Sequence, residues 1–296
     1  MPGGAREETA PRRGSLARVA RAGAVAFIAA YVLFTALLWY LQEQLIFPGA
    51  SYRAAAPSLP VGVRRVSLPH TRGRSFSAYY AEPLTEAGEP HPQAESAPRL
   101  LYFYGNRMVA ADALPTLQAF QRLGAAVLTP DYAGYGESPG RPSEQGCYAA
   151  AESAYAWLRA QPGGESADVY ASGWSLGGAV AAELAVRHPV RGLALFSTFT
   201  SMEELAARQY PWLPTGILLR HRFRTERKLP RVHCPVLIGY GALDPVAPPW
   251  MGRRLAEVAG GEVRLLEVEG AGHNDFFEAG GDRVLAAMRE LLRRGE

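Results

Sequence analysis

The residues that could do chemistry are a serine, an aspartate and a histidine, each within three positions of a glycine. Gly173-Trp174-Ser175-Leu176-Gly177-Gly178 has the form G-x-S-x-G, with an apolar run before it and a helical pattern after it. A nucleophile at the tip of a sharp strand-to-helix turn needs almost no side chain on either side, so that strand and helix can approach. The helix N-terminus then offers free backbone N–H groups and positive dipole to developing negative charge. A serine hydroxyl is a poor nucleophile without a base, and the base must be oriented by a third group. Downstream, in the chain order Ser, acid, His, stand Asp244 in Gly241-Ala-Leu-Asp-Pro and His273 in Gly270-Ala-Gly-His-Asn-Asp. Each follows an apolar, strand-like run. His273 is the expected general base, and Asp244 the group that holds its tautomer and stabilises its cation.

The remaining candidates are weaker. His70, His91, His188, His221 and His233 fall in a turn, a loop, a helix end, a long intervening segment and the approach to a strand, where surface or packing roles are expected. Asp275 is too close in sequence to His273 to reach around and orient it. Asp131 is expected to brace its own loop by accepting backbone N–H groups. Acyl transfer also needs two donors for the oxyanion. One is the backbone N–H of Leu176. The other is expected from the loop Tyr104-Gly105-Asn106-Arg107, at the N–H of Asn106, with Arg107 as the alternative.

These residues need a frame. Val61–Leu68 and Ser75–Ala81 read as a hairpin turning at Thr71–Arg74. From Arg99 onward, apolar runs at 100–104, 125–129, 168–173, 193–196, 235–240 and 263–268 alternate with helical patterns at 112–123, 143–161, 176–187, 249–258 and 282–293. That alternation predicts an α/β fold: a mostly parallel central sheet covered by helices on both faces. Phe199–Pro230 is too long for a simple crossover helix. It predicts a short lid insertion above the carboxyl ends of the strands, where such sheets bind ligands.

The chain has 296 residues, 48% hydrophobic and 20% charged, which excludes a disordered or fibrous protein. Its two cysteines, Cys147 and Cys234, form no scaffold and no metal spacing. No phosphate-cradling loop is present, so no metal, nucleotide or flavin cofactor is expected. The net charge of +3 is too mild for a dedicated nucleic-acid binder.

Ala22–Leu41 carries no charged residue. Twenty residues of helix span about 30 Å, the hydrocarbon thickness of a bilayer. Arg6, Arg12, Arg13, Arg18 and Arg21 precede it and Arg53 follows. The expected organisation is a cytoplasmic basic tail over 1–21, a single transmembrane anchor over 22–41, and an extracytoplasmic catalytic domain over 48–296 containing the insertion 199–230. A cleaved signal peptide would have a shorter apolar core followed by a small-x-small site, which Gln42-Glu43-Gln44 does not supply. The basic run Arg220-His-Arg222-Phe-Arg224 could meet anionic headgroups or be a solvated face.

Together these motifs resemble the α/β-hydrolase superfamily, and within it the membrane-anchored abhydrolase-domain and serine-aminopeptidase-like branch. Gln44-Leu-Ile-Phe-Pro is similar to the stretch after that branch's anchor. Asp131-Tyr-Ala-Gly-Tyr-Gly-Glu-Ser-Pro-Gly-Arg-Pro-Ser-Glu144 is similar to its D-Y-R-G-Y-G-x-S-x-G-x-P-S-E, and Gly272-His-Asn-Asp to its histidine loop. The branch usually reads H-G-N-A-G at the oxyanion loop. Here Tyr104 stands for the His, and Arg107 and Met108 for small residues, which alters the pocket. The expected activity is hydrolysis of an ester, thioester or lipid acyl bond through an acyl-enzyme. An aminopeptidase-like peptidase and a catalytically inert membrane-tethered scaffold are the alternatives.

Overall fold

The computed structural model describes residues 13–52, 57–70 and 74–293. Arg6, Arg12, Arg53 and the hairpin turn residues Thr71–Gly73 lie outside the described residues. The chain divides into two compact units, Met1–Gln42 and Glu43–Glu296. The first is the greater part of helix α1 (Arg13–Ile46). Leu16–Ile46 includes a stretch long and apolar enough to cross a membrane. The second unit begins at Glu43, five residues before the boundary expected at 48, because Ile46 and Phe47 are buried in it.

The second unit is built on eight strands: β1 (Val63–Pro69), β2 (Ser75–Ala81), β3 (Arg99–Phe103), β4 (Ala126–Pro130), β5 (Val169–Trp174), β6 (Gly192–Phe196), β7 (Val236–Gly241) and β8 (Val263–Val268). They lie in the order β1-β2-β4-β3-β5-β6-β7-β8. β2 is antiparallel to β1 and β4, and the pairings from β4 onward are parallel. β3, β4 and β6 are buried at every position, which is why they read as continuous apolar runs rather than as alternation. Helices α2 (Leu114–Gln121) and α9 (Phe276–Arg293) pack together on one face. On the other, α3 (Glu144–Arg159) and α4 (Leu176–Arg187) pack together. There α4 meets α7 (Thr225–Lys228), which in turn meets α8 (Pro249–Val258).

One helix differs from the sequence reading. α9 begins at Phe276, not at Asp282. The pair Gly280–Gly281 reads as a break, and Gly281 is indeed a kink (φ 40°, ψ −124°), but the chain is helical on both sides of it. Phe276 is buried against Phe196, so packing rather than propensity fixes the extra turn. The segment between β6 and β7 holds α5 (Met202–Gln209), α6 (Thr215–Leu218) and α7. It is clasped by Glu144, the first residue of α3, whose carboxylate accepts the Arg222 N–H at 2.7 Å, the Phe223 N–H at 3.0 Å and the Tyr148 hydroxyl at 2.7 Å.

Candidate active site

Ser175 stands between β5 and α4 with φ 56° and ψ −117°, a backbone conformation that costs a residue with a side chain about 1–3 kcal/mol. The turn is tight enough to forbid side chains at its flanks. A Cβ on Gly173 would lie 2.2 Å from the Gly177 carbonyl, and one on Gly177 would lie 1.9 Å from the Phe103 oxygen. Glycine at these two places is therefore a matter of space.

His273 Nε2 lies 3.0 Å from Ser175 Oγ, and His273 Nδ1 lies 2.7 Å from Asp244 Oδ2. All three residues are buried. The second oxygen of Asp244 is also occupied, since Oδ1 accepts the N–H groups of Val246 and Ala247, each at 2.8 Å. An aspartate engaged at both oxygens is held in one orientation. The Trp174 indole lies against His273, with centroids 5.1 Å apart, and against Gly105, where a Cβ would be 2.5 Å from the ring. Asp275 Oδ1 accepts the Gly272 N–H at 2.7 Å, which fixes the histidine loop from the other side and leaves Asp244 as the partner of His273.

Leu176 is the first residue of α4, so its N–H is one of the free amides of a helix's first turn. The Asn106 N–H has no acceptor among the described residues. The turn that carries it is closed by the Met108 N–H on the Gly105 oxygen at 3.2 Å. Arg107 is exposed and Met108 half-buried.

The tyrosine that replaces histidine at the head of this loop has a structural use that the sequence does not reveal. Tyr104 is fully buried, and its hydroxyl donates to Asp131 Oδ1 at 2.9 Å while accepting the Tyr132 N–H at 3.2 Å. Asp131 Oδ1 also accepts the Ala110 N–H at 2.7 Å, so Asp131 braces the neighbourhood of the Asn106 loop as well as its own. Burial pushes the Asp131 carboxyl above its ordinary range. The Ala110 N–H, the Tyr104 hydroxyl and the Glu137 N–H act the other way. Burial, reinforced by Asp131, keeps the Tyr104 phenol protonated as a donor. Removing one partner of a buried charge-assisted hydrogen bond costs about 1–3 kcal/mol. Tyr104→Phe is accordingly expected to lower Tm by several degrees in a thermal melt. An unchanged Tm would show that Asp131 does not depend on this hydroxyl.

The histidines outside this site are placed in packing or surface settings. His221 is buried against Phe47, His70 lies against Phe76, His188 against Tyr155 and Glu152, and His233 is exposed. The basic run pairs with acids rather than forming an open patch. Arg224 holds Glu203 through two contacts of 2.7 Å, Arg222 reaches the same carboxylate at 3.3 Å, and Arg220 meets Glu43 at 3.5 Å.

A strand order of this kind, with a serine elbow after β5 and loops from three strand ends meeting at it, defines the α/β-hydrolase class. The chain belongs to that family. Residues 100–229 match the family model described as the alpha/beta hydrolase fold. The chain is 37% identical over 270 residues to the uncharacterized protein Rv2307c of Mycobacterium tuberculosis, covering 90% of this chain and 92% of that protein. It is 30% identical over 190 residues to the lysophosphatidylserine lipase ABHD12 of Rattus norvegicus, covering 56% of this chain and 46% of the relative. Among solved structures, the Pyrococcus furiosus esterase Pf2001 superposes with a TM-score of 0.65 at 15% identity, over 82% of this chain and 95% of that one, a likeness of fold.

Proposed function

We propose that this protein is a serine hydrolase that cleaves an ester, thioester or lipid acyl bond, with Ser175, His273 and Asp244 as its catalytic triad. The observation that carries the reading is the unbroken line of hydrogen bonds from Ser175 Oγ through His273 to Asp244, 3.0 and 2.7 Å long, at a strained elbow. Ser175 Oγ attacks the acyl carbon while His273 Nε2 takes its proton. The carbonyl oxygen becomes an oxyanion between the N–H groups of Leu176 and Asn106. Collapse breaks the acyl–oxygen or acyl–sulfur bond, and His273 returns the proton to the departing alcohol or thiol. Water, deprotonated by His273, then releases the acid and restores the serine.

An acyl ester is favoured over a peptide for three reasons. The insertion, which follows the carboxyl end of β6, carries exposed apolar side chains, Trp212 in a turn and Ile217 on α6. Its acidic residues are already partnered: Glu203 by Arg224 and Arg222, Glu204 by Thr200, and Glu226 by Arg254. The Arg224 guanidinium holds Glu203 below the usual carboxylate range, the mark of an ion pair already made, and a substrate's amino terminus would have to displace one of these partners. The lipase relative also acts on a lipid ester. We further assign the apolar segment 22–41 as a single-pass anchor with a cytoplasmic N-terminus, because the arginines precede it.

The test is turnover of p-nitrophenyl esters from acetyl to palmitoyl, beside aminoacyl p-nitroanilides, on detergent-purified protein. The best ester is expected to exceed the best aminoacyl amide in kcat/KM by about tenfold or more. The reverse ranking would establish the peptidase reading. The preferred acyl length separates a small-ester pocket from a lipid-sized one.

A further inference from the structure

Asn106 has three polar handles besides any substrate: its side-chain amide, its carbonyl and its N–H. Two of them are taken by the stretch of chain that leaves α1. Asn106 Nδ2 donates to the Ile46 carbonyl at 2.8 Å, and the Gly49 N–H donates back to the Asn106 carbonyl at 3.0 Å. The Tyr135 hydroxyl donates to the same carbonyl at 3.0 Å. Fixing a residue by its side chain and its carbonyl together leaves little freedom at its backbone, and the N–H is the handle left over.

The fit around Gly49 is close. A Cβ there would sit 2.7 Å from Tyr135 Cε1 and 2.8 Å from the backbone oxygens of Asn106 and Met108. Any residue can supply the N–H, but only glycine lets the strap approach the loop this closely. Between the two contacts lies Phe47, 1% exposed, with its ring edge against His221 at 5.1 Å and Phe223 at 6.1 Å. The strap is thus pinned into the segment between β6 and β7 as well as to the Asn106 loop.

We propose that Ile46–Gly49 is a positioning element for the oxyanion hole: it holds Asn106 by amide and carbonyl so that the Asn106 N–H points at the oxyanion. An oxyanion donor is effective only when it is already in place, and small displacements cost rate rather than binding. The inference rests on the reading of Asn106 as an oxyanion donor. It adds that the chain emerging from the apolar helix is a working part of the site, not a passive tether.

Two variants of the full-length protein test it. Asn106→Ala keeps the backbone N–H and removes only the bond to Ile46. Gly49→Ala keeps the strap and pushes it against the Asn106 carbonyl. Three quantities are read: kcat and KM for the best p-nitrophenyl ester, the affinity for a trifluoromethyl ketone that forms a tetrahedral oxyanion on the serine, and Tm. Both variants are expected to lose about 10- to 100-fold in kcat and a similar factor in ketone affinity, with KM within about threefold. A role confined to stability would lower Tm and spare the ketone affinity relative to that of a substrate-like ligand, which would overturn the proposal. So would a kcat within about twofold of wild type in Asn106→Ala, the variant that decides the matter should Gly49→Ala fail to fold. Failure of the underlying hydrolase reading is distinguishable, because it shows as ester turnover that survives Ser175→Ala in the otherwise native chain.

Discussion

Ser175→Ala in the full-length protein is expected to lower kcat for p-nitrophenyl esters by at least about a thousandfold, with the fold intact. The magnitude follows from what remains. Without the nucleophile, only the oxyanion donors and substrate binding contribute, and those leave a small residue of the full acceleration. Alanine keeps a Cβ at φ 56°, so the backbone strain of the elbow is unchanged and the melting temperature is expected to stay close to that of the native chain. Among the described residues Ser175 Oγ makes one hydrogen bond, to His273 Nε2, so its loss leaves only that ring acceptor without its partner. The measurement is ester turnover beside a thermal melt. A Ser175→Ala protein that retains about a tenth of native activity, and melts normally, would remove Ser175 as the nucleophile, whereas a native chain that turns over none of the esters would return the inert-scaffold reading.

How much of this was legible in the sequence depends on how local each feature is. The elbow is local. A strand, two glycines with a serine between, and a helix are all encoded within a few residues, and the close approaches at Gly173 and Gly177 explain why the glycines are there. Asp244 and His273 are legible for a related reason: both sit just beyond apolar runs that are β7 and β8. The bonds that shape the Asn106 loop are not local. Tyr104 and Asp131 are 27 positions apart, and Asn106 and Ile46 are 60 apart. Nothing in either stretch alone announces its partner. Read by itself, the change from histidine to tyrosine casts doubt on the pocket. In the fold the phenol is a buried donor to an aspartate, and the unusual residue stabilises the loop it seemed to threaten.

The same distinction governs the elements that were misplaced. The Gly280–Gly281 pair is a true local signal of a kink, but tertiary packing of Phe276 and Phe277 around Phe196 carries helix through it. Gln44–Phe47 falls between the expected anchor, ending at 41, and the catalytic domain expected from 48. Its membership of the globular unit depends on Phe47 being buried against residues near 221–223, far along the chain. The basic run at 220–224 looks like a charged patch in sequence because the acids that pair with it, Glu43 and Glu203, are elsewhere. Spacing identifies groups able to react. Partners supplied from a distance decide which of them are free to.

Asp244→Asn is expected to lower kcat by about a thousandfold to ten-thousandfold while leaving the fold in place. Asn Oδ1 can still accept the Val246 and Ala247 N–H groups, so the loop keeps its shape. The group facing His273 Nδ1 at 2.7 Å, however, changes from an acceptor to an NH2 donor. The imidazole must then present a lone pair at Nδ1 and carry its proton on Nε2, toward Ser175 Oγ, where it can no longer accept the serine proton. The anion that would stabilise the imidazolium is also lost. Because the defect is one of tautomer rather than of charge state, raising the pH within the range the protein tolerates should not recover native activity. The double variant Ser175→Ala/Asp244→Asn should be no slower than Ser175→Ala alone, since groups that act as one unit are not additive when removed. Activity above about a tenth of native in Asp244→Asn, or losses that multiply in the double variant, would mean that Asp244 and Ser175 do not serve a single proton-transfer chain.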